Sequence, residues 1–225
     1  MKPMGEEHLA VLRRHMVEVV EIHADLAAEE IGAAALDARV LEAMRRVPRH
    51  LFVPAPLAHL AYQDTPLPIG FDKTISQPFV CALMTHLLGP GPGDAVLEVG
   101  TGLGYQTAVL AELAGRVRSV EVVEELALSA EARLRGLGYD GAEVRVGDGS
   151  RGWAEHAPFD GVLVTAAAEQ PPEALLEQLK PGGRMVIPLG GTEIQQLTVL
   201  TRQTGGDTNI REIMPVRFTQ LEVGA

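Results

Sequence analysis

The chain has 225 residues, 46% hydrophobic and 22% charged, with a formal net charge of -11 and one cysteine. That length and apolar content build one sizeable core, while the acidic balance repels polyanions and leaves no footprint for nucleic acid or an acidic lipid surface. The lone Cys81 excludes an intramolecular disulfide and fits a reducing compartment. Met1 to His8 lacks the apolar run of a secretory signal, and no segment reaches the roughly 20 apolar residues of a membrane span, so the expected location is the cytoplasm.

From Glu7 to about Ala28, Leu9, Leu12, Met16, Val19, Val20, Ile22 and Leu26 recur at helical spacing, which predicts an amphipathic helix. A second helix is expected from Asp37, an N-cap residue, through Met44 towards Pro48. Between Val53 and Pro78 stand Pro54, Pro56, Pro66, Pro68 and Gly70. So many breakers predict an ordered but irregular segment, and a loop of that length is where substrate contacts are expected.

After a helix from about Pro78 to Leu88 the pattern alternates. Strands are expected at Asp94 to Val99, Val117 to Val122, Glu143 to Val146, Phe159 to Thr165 and Arg184 to Pro188. Helices fall between them at Tyr105 to Ala114, Glu124 to Leu137 and Pro172 to Leu179. Repeated strand-helix units predict an α/β fold with a doubly wound, mostly parallel sheet. Beyond Gly191, strand-like runs at Gln196 to Thr201 and Ile210 to Phe218 flank Gly205-Gly206-Asp207, the turn of a C-terminal β-hairpin. The chain reads as one domain: N-terminal helices and substrate segment over 1–90, a cofactor-binding core over 91–190 and C-terminal strands over 191–225.

Val96 to Tyr105 is a buried strand running into a glycine-rich turn and then a helix, a nucleotide-type binding corner at a strand's carboxyl end. A dinucleotide fingerprint requires glycine where Tyr105 stands, so the spacing argues against hydride chemistry. The spacing Gly100-x-Gly102-x-Gly104, preceded by Glu98, resembles the first motif of class I methyltransferases. Glu121, at the end of the next strand, is placed to accept ribose hydroxyls or to stand as a solvated charge. Asp148, between Gly147 and Gly149, is placed to accept from an exocyclic amine such as that of adenine, or to make an ordinary Asx turn. The expected cofactor-binding set is therefore Glu98, Gly100, Thr101, Gly102, Gly104, Tyr105, Glu121, Asp148 and Gly149. His50, His59, His86 and His156 have no metal-ligand spacing and no cysteine cluster, so no metal is expected. Trp153 reads as packing.

The segment Leu67-Pro68-Ile69-Gly70-Phe71-Asp72-Lys73-Thr74-Ile75-Ser76-Gln77-Pro78 resembles the signature of the protein-L-isoaspartate O-methyltransferase family. Val47-Pro48-Arg49-His50-Leu51-Phe52-Val53-Pro54 upstream resembles that family's lead-in, and Gly147-Asp148-Gly149 and Leu179-Lys180-Pro181-Gly182-Gly183-Arg184 follow downstream in the family's order. The similarity runs from about Arg14 to about Leu221 and implies methyl transfer from S-adenosyl-L-methionine to the α-carboxylate of L-isoaspartyl residues in damaged peptides and proteins. It also implies that Ser76 is the active-site serine.

A carboxylate is already ionised near neutral pH and needs no general base, so positioning should dominate catalysis. Hydroxyl donors Thr74 and Ser76 are the expected catalytic residues, holding one carboxylate oxygen while the other faces the methyl group. Ser76 also reads as the N-cap of the helix beginning near Pro78. The chain departs from the family pattern in two places. Asp72-Lys73 replaces Gly-Gln, where Lys73 either aids carboxylate binding or is solvated, and Thr219-Gln220 replaces Val-Pro. Two further readings stay open: a maturation enzyme that methylates one aspartate of a partner peptide, and a non-catalytic S-adenosylmethionine-binding sensor. A monomer is the expected state.

Overall fold

A computed structural model describes residues 5–223. Helix α1 (Glu6–Leu26) buries Leu9, Met16, Val17, Val20 and Ala24, one face at helical spacing, and is followed by a single turn, α2 (Ala28–Ile31). Helix α3 (Ala38–Arg46) starts where Asp37 accepts a hydrogen bond from the Arg39 amide, the N-cap the sequence predicts. Short 3-10 turns at Arg49–Phe52 and Ala55–Leu60 lead to the proline-rich stretch.

That stretch is more regular than expected. Strands β1 (Leu67–Gly70) and β2 (Lys73–Ile75) pair antiparallel, Leu67 opposite Ile75 and Pro68 opposite Thr74. The proline is tolerated because a two-stranded ribbon has only edges. The turn places two residues other than glycine, Phe71 (φ 53°) and Asp72 (φ 55°), in the left-handed region. Asp72→Gly is therefore expected to stabilise the protein, by about 1 kcal/mol or less because glycine's larger unfolded-state entropy offsets part of the relief. A urea midpoint that falls in this variant would contradict the strain assignment.

Helix α4 (Pro78–Leu88) is buried on nearly every side, which is why its sequence is almost uniformly apolar. It leads to the central sheet, whose strands are β3 (Ala95–Val99), β4 (Arg116–Glu121), β5 (Ala142–Val146), β6 (Phe159–Val164), β7 (Leu179–Leu189), β8 (Gln195–Arg202) and β9 (Thr208–Val216). Their order is β5-β4-β3-β6-β7-β8-β9, parallel from β5 to β7 and antiparallel from β7 to β9. Helices α5 (Tyr105–Ala111), α6 (Glu124–Gly136) and α7 (Glu173–Glu177) make the crossovers.

Strand β7 begins five residues earlier than expected, because Leu179 pairs with Phe159 ahead of the irregularity that carries Lys180 to Gly183. Apolar side chains pack both faces of the sheet. Val96, Leu163 and Val186 belong to the cluster shared with α1, α3 and α4, and Leu97, Val99, Val162 and Ile187 to the cluster over α7. The order reverses between β3 and β6, and that switch point opens a crevice at the strands' carboxyl ends.

Candidate active site

A cavity of about 860 Å³ occupies the crevice, within the range typical of small-molecule sites. Its floor is the carboxyl ends of the sheet: Val99 at the end of β3 and Gly100 after it, Val120 and Glu121 on β4, Gly149 after β5, and Thr165 and Ala166 after β6. One wall is the hairpin segment, with Asp72, Lys73, Thr74, Ser76 and Gln77. The opposite wall is the C-terminal stretch from Met214 to Glu222, held against the segment after β6 by the Ala167 amide on the Thr219 carbonyl and the Leu221 amide on the Ala167 carbonyl. Lys73 is ion-paired with Glu222, joining the two walls across the mouth.

The expected site residues divide into two groups. Ser76, Thr74, Gly100, Gly102, Glu121 and Gly149 line the cavity. Glu121 is 5% exposed, and its carboxylate already accepts from the Gly102 amide (2.8 Å) and the Val123 amide (3.0 Å). Each oxygen retains a second lone pair for a ligand hydroxyl. Gly100 (φ 93°) brings its Cα so near β6 that an added Cβ would lie 2.3 Å from Thr165 Oγ1. The Thr165 hydroxyl donates to the Gly100 carbonyl at 2.7 Å, fixing the turn. Gly149 is equally constrained, since a Cβ there would meet Val99 Cγ1 at 2.3 Å.

Asp148 lies just outside the wall beside Gly149. Its Oδ1 accepts from the Ser150 amide and hydroxyl at 2.9 and 2.7 Å, the Asx-turn geometry. Its Oδ2 is buried with no hydrogen-bond partner, 3.4 Å from Arg151 Nε. One oxygen of the carboxylate thus serves the Asx turn, and the other faces Arg151.

Glu98, Thr101, Gly104 and Tyr105 do not reach the cavity. They build the glycine turn from behind. Gly104 (φ 92°) opens α5, and Tyr105 is 2% exposed against Phe52. Glu98 is fully buried; its Oε2 accepts from Thr107 and Ser119 hydroxyls, both at 2.5 Å, and Ser119 in turn meets Thr101 Oγ1 at 2.6 Å. The reading of Ser76 as an N-cap is corrected too. Gln77 occupies that position without a side-chain cap, and Asp64 caps α4 from outside the helix by accepting from the Phe79 amide at 2.8 Å. Trp153 packs beneath Arg145, 4.4 Å from its ring centre, as expected of a packing residue.

The protein-L-isoaspartate(D-aspartate) O-methyltransferase family model matches residues 22–224. The chain belongs to this family. It is similar to the protein-L-isoaspartate O-methyltransferase 2 of Syntrophobacter fumaroxidans, with 54% identity over 98% of this chain and 90% of that one. It is also similar to the protein-L-isoaspartate O-methyltransferase 1 of Polaromonas sp. strain JS666, with 51% identity over 97% and 93%. A solved protein-L-isoaspartate O-methyltransferase superposes with a TM-score of 0.77 at 25% identity, covering 92% of this chain and 65% of that one. A Plasmodium falciparum chain crystallised with S-adenosyl-L-homocysteine shares the fold, with a TM-score of 0.77 at 23% identity over 93% of this chain and 98% of that one.

In this member of the isoaspartate methyltransferase family, burial raises the Glu98 carboxyl to about 7, against the lowering effect of the Ser119 and Thr107 hydroxyls. That value lies above the ordinary 4.5, so the folded protein keeps a proton that the unfolded chain releases. The contribution is fully present below about 4.5 and is lost as pH rises through about 7. Urea titrations from pH 5 to 8 are expected to show Glu98→Gln gaining on the parent protein as pH rises, by on the order of 3 kcal/mol at most. Parallel pH profiles for the two proteins would show that Glu98 is ionised throughout.

The sequence reading missed three residues that shape the site. Asp64 caps α4 and also accepts from Gln77 Nε2, with His23 Nδ1 2.5 Å from the same oxygen. Arg133 donates to the Leu103 carbonyl at 2.9 Å and so ties α6 to the glycine turn. Arg49 is completely buried behind Ser76. Each acts on a partner at least 12 positions away, so no local pattern signals it. Only the unusual burial of a charge, visible once the chain is folded, marks Arg49.

Proposed function

We propose that this protein moves the methyl group of S-adenosyl-L-methionine to the α-carboxylate of L-isoaspartyl residues in damaged peptides and proteins. The observation that carries this reading is that one cavity brings the Thr74 and Ser76 hydroxyls together with the glycine turn, Glu121 and Gly149. The names of relatives at about 50% identity support the same reaction.

The cofactor fits the residues present. Backbone at Gly100, Gly102 and Gly149 lines the cavity with no side chain in the way. Glu121 has lone pairs free for ribose hydroxyls, and Asp148 Oδ2, which makes no hydrogen bond and lies 3.4 Å from Arg151 Nε, is the acceptor for the adenine amine in this reading. When bound, S-adenosyl-L-methionine supplies an electrophilic methyl group. Ser76 and Thr74 hold one oxygen of the substrate carboxylate and leave the other free to attack, a step that calls for orientation and not for a base. The hairpin and the C-terminal stretch are the two walls a peptide would meet, and the Lys73 ammonium between them is already paired with Glu222.

The whole chain works as one catalytic unit, as a monomer and in the cytoplasm. Its charge of -11 and buried Cys81 support the last two points. Among the described residues no helix is long and apolar enough to cross a membrane. The deciding experiment is methyl transfer from labelled S-adenosyl-L-methionine to matched peptides carrying isoaspartate or aspartate at one position. Labelling of the isoaspartyl peptide alone is expected. Labelling of neither, with the cofactor still bound, would favour a dedicated maturation partner or a sensor.

A further inference from the structure

Arg49 has no role in the reaction as described above, yet its setting is unusual. It is 0% exposed, among the described residues no carboxylate lies within ion-pairing distance of its guanidinium, and its Nη1 has no hydrogen-bond partner. Burying a cation in this way is costly, so its other contacts must hold it there. Nε donates to the Ala61 carbonyl at 2.9 Å and Nη2 to the Ser76 carbonyl at 2.6 Å. The guanidinium lies over the Tyr105 ring, 4.6 Å from its centre. Tyr105 is the first residue of α5, directly after the glycine turn, and Ser76 is one of the two hydroxyl residues, with Thr74, on the hairpin wall.

We infer that Arg49 is a positioning residue, whose planar guanidinium sets the Ser76 main chain at a fixed spacing from the helix that carries the glycine turn. The inference rests on the proposed reaction only for its kinetic consequence. The geometry explains why arginine serves here. Two carbonyls, on residues 12 and 27 positions along the chain, are met by separate N-H groups of one rigid fork while its face stacks on a ring. A lysine ammonium can meet one of these carbonyls, but has no planar face to stack and no second fixed donor. Tyr105 is itself buried and packs edge-on against Phe52, whose ring lies 5.8 Å away. The Ser76 side chain lines the cavity, while its carbonyl is met by Arg49 Nη2 at 2.6 Å and by the Cys81 thiol at 3.7 Å. Methyl transfer is sensitive to placement on the ångström scale, so loosening this bracket should cost turnover more than affinity for cofactor.

Arg49→Lys and Arg49→Met are the test, the second avoiding a buried ammonium should the first not fold. In the parent background, either variant is expected to lower kcat/KM for an isoaspartyl peptide at least tenfold while the Kd of S-adenosyl-L-homocysteine stays within about twofold. In a Ser76→Ala background the same change should shrink to less than threefold, because the group being positioned is gone. Hydrogen exchange should quicken at residues 74–77 and not in strand β7. An undiminished loss in the Ser76→Ala background, an equal loss of cofactor affinity, or exchange that rises uniformly along the chain would each overturn the inference. If the parent protein methylates no isoaspartyl peptide, the proposed reaction fails, and the exchange comparison still decides the role of Arg49.

Discussion

Replacing Glu121 with alanine is expected to weaken binding of S-adenosyl-L-homocysteine by at least about 100-fold, because the two charge-assisted hydrogen bonds proposed to ribose, each worth about 1.5–3 kcal/mol, would be lost together. The structure adds a second source of loss. The carboxylate now holds the Gly102 and Val123 amides at 2.8 and 3.0 Å, so its removal also frees the glycine turn from the end of β4. Glu121→Gln separates the two contributions. It keeps one acceptor and the shape but removes the charge, and should fall between the parent protein and the alanine variant. Calorimetric titration of the three proteins is the check. Affinity unchanged in the alanine variant would mean that Glu121 serves only the turn, and the ribose would have to be held elsewhere in the cavity.

Ser76→Ala is expected to show the opposite signature. In the proposed reaction it removes one hydrogen bond to a charged carboxylate, so kcat/KM for an isoaspartyl peptide should drop about 10- to 100-fold. The Kd of S-adenosyl-L-homocysteine should change less than twofold, since Ser76 stands on the hairpin wall and Glu121 and Gly149 on the sheet floor. The variant should fold normally. Asp64 and not Ser76 caps α4, so no helix terminus is left unsatisfied by the change. Comparable losses of cofactor affinity in Ser76→Ala and Glu121→Ala would dissolve the division of the cavity into a substrate wall and a cofactor floor.

The division itself was legible in the sequence, though not completely. Gly100, Gly102, Glu121 and Gly149 stand at or just beyond the ends of three successive strands, and a parallel sheet brings such positions to one edge by construction. Glu98 shows the limit of that logic. It lies in the same motif, but its side chain points away from the crevice, and the period-two alternation of a strand does not say which face a doubly buried strand turns to the ligand. Tyr105 was grouped with the cofactor residues by adjacency and instead packs against Phe52 and beneath Arg49. The hairpin of β1 and β2 was hidden by Pro66 and Pro68, which count against a strand in the middle of a sheet but not in an isolated ribbon.

What the sequence alone determined is the order of strands and helices, the glycine turn and the residue types gathered at the strand ends. These follow from hydrophobic periodicity and from glycine and proline, signals carried within a window of a dozen residues. The tertiary structure alone decided which polar groups are sealed in the core and what they hold. Asp64 capping a helix 15 residues away, Glu98 keeping company with Ser119 and Thr107, and Arg49 reaching the carbonyls of Ala61 and Ser76 are contacts between distant segments. A buried polar group must find its partner wherever packing brings one, and packing is a property of the whole fold.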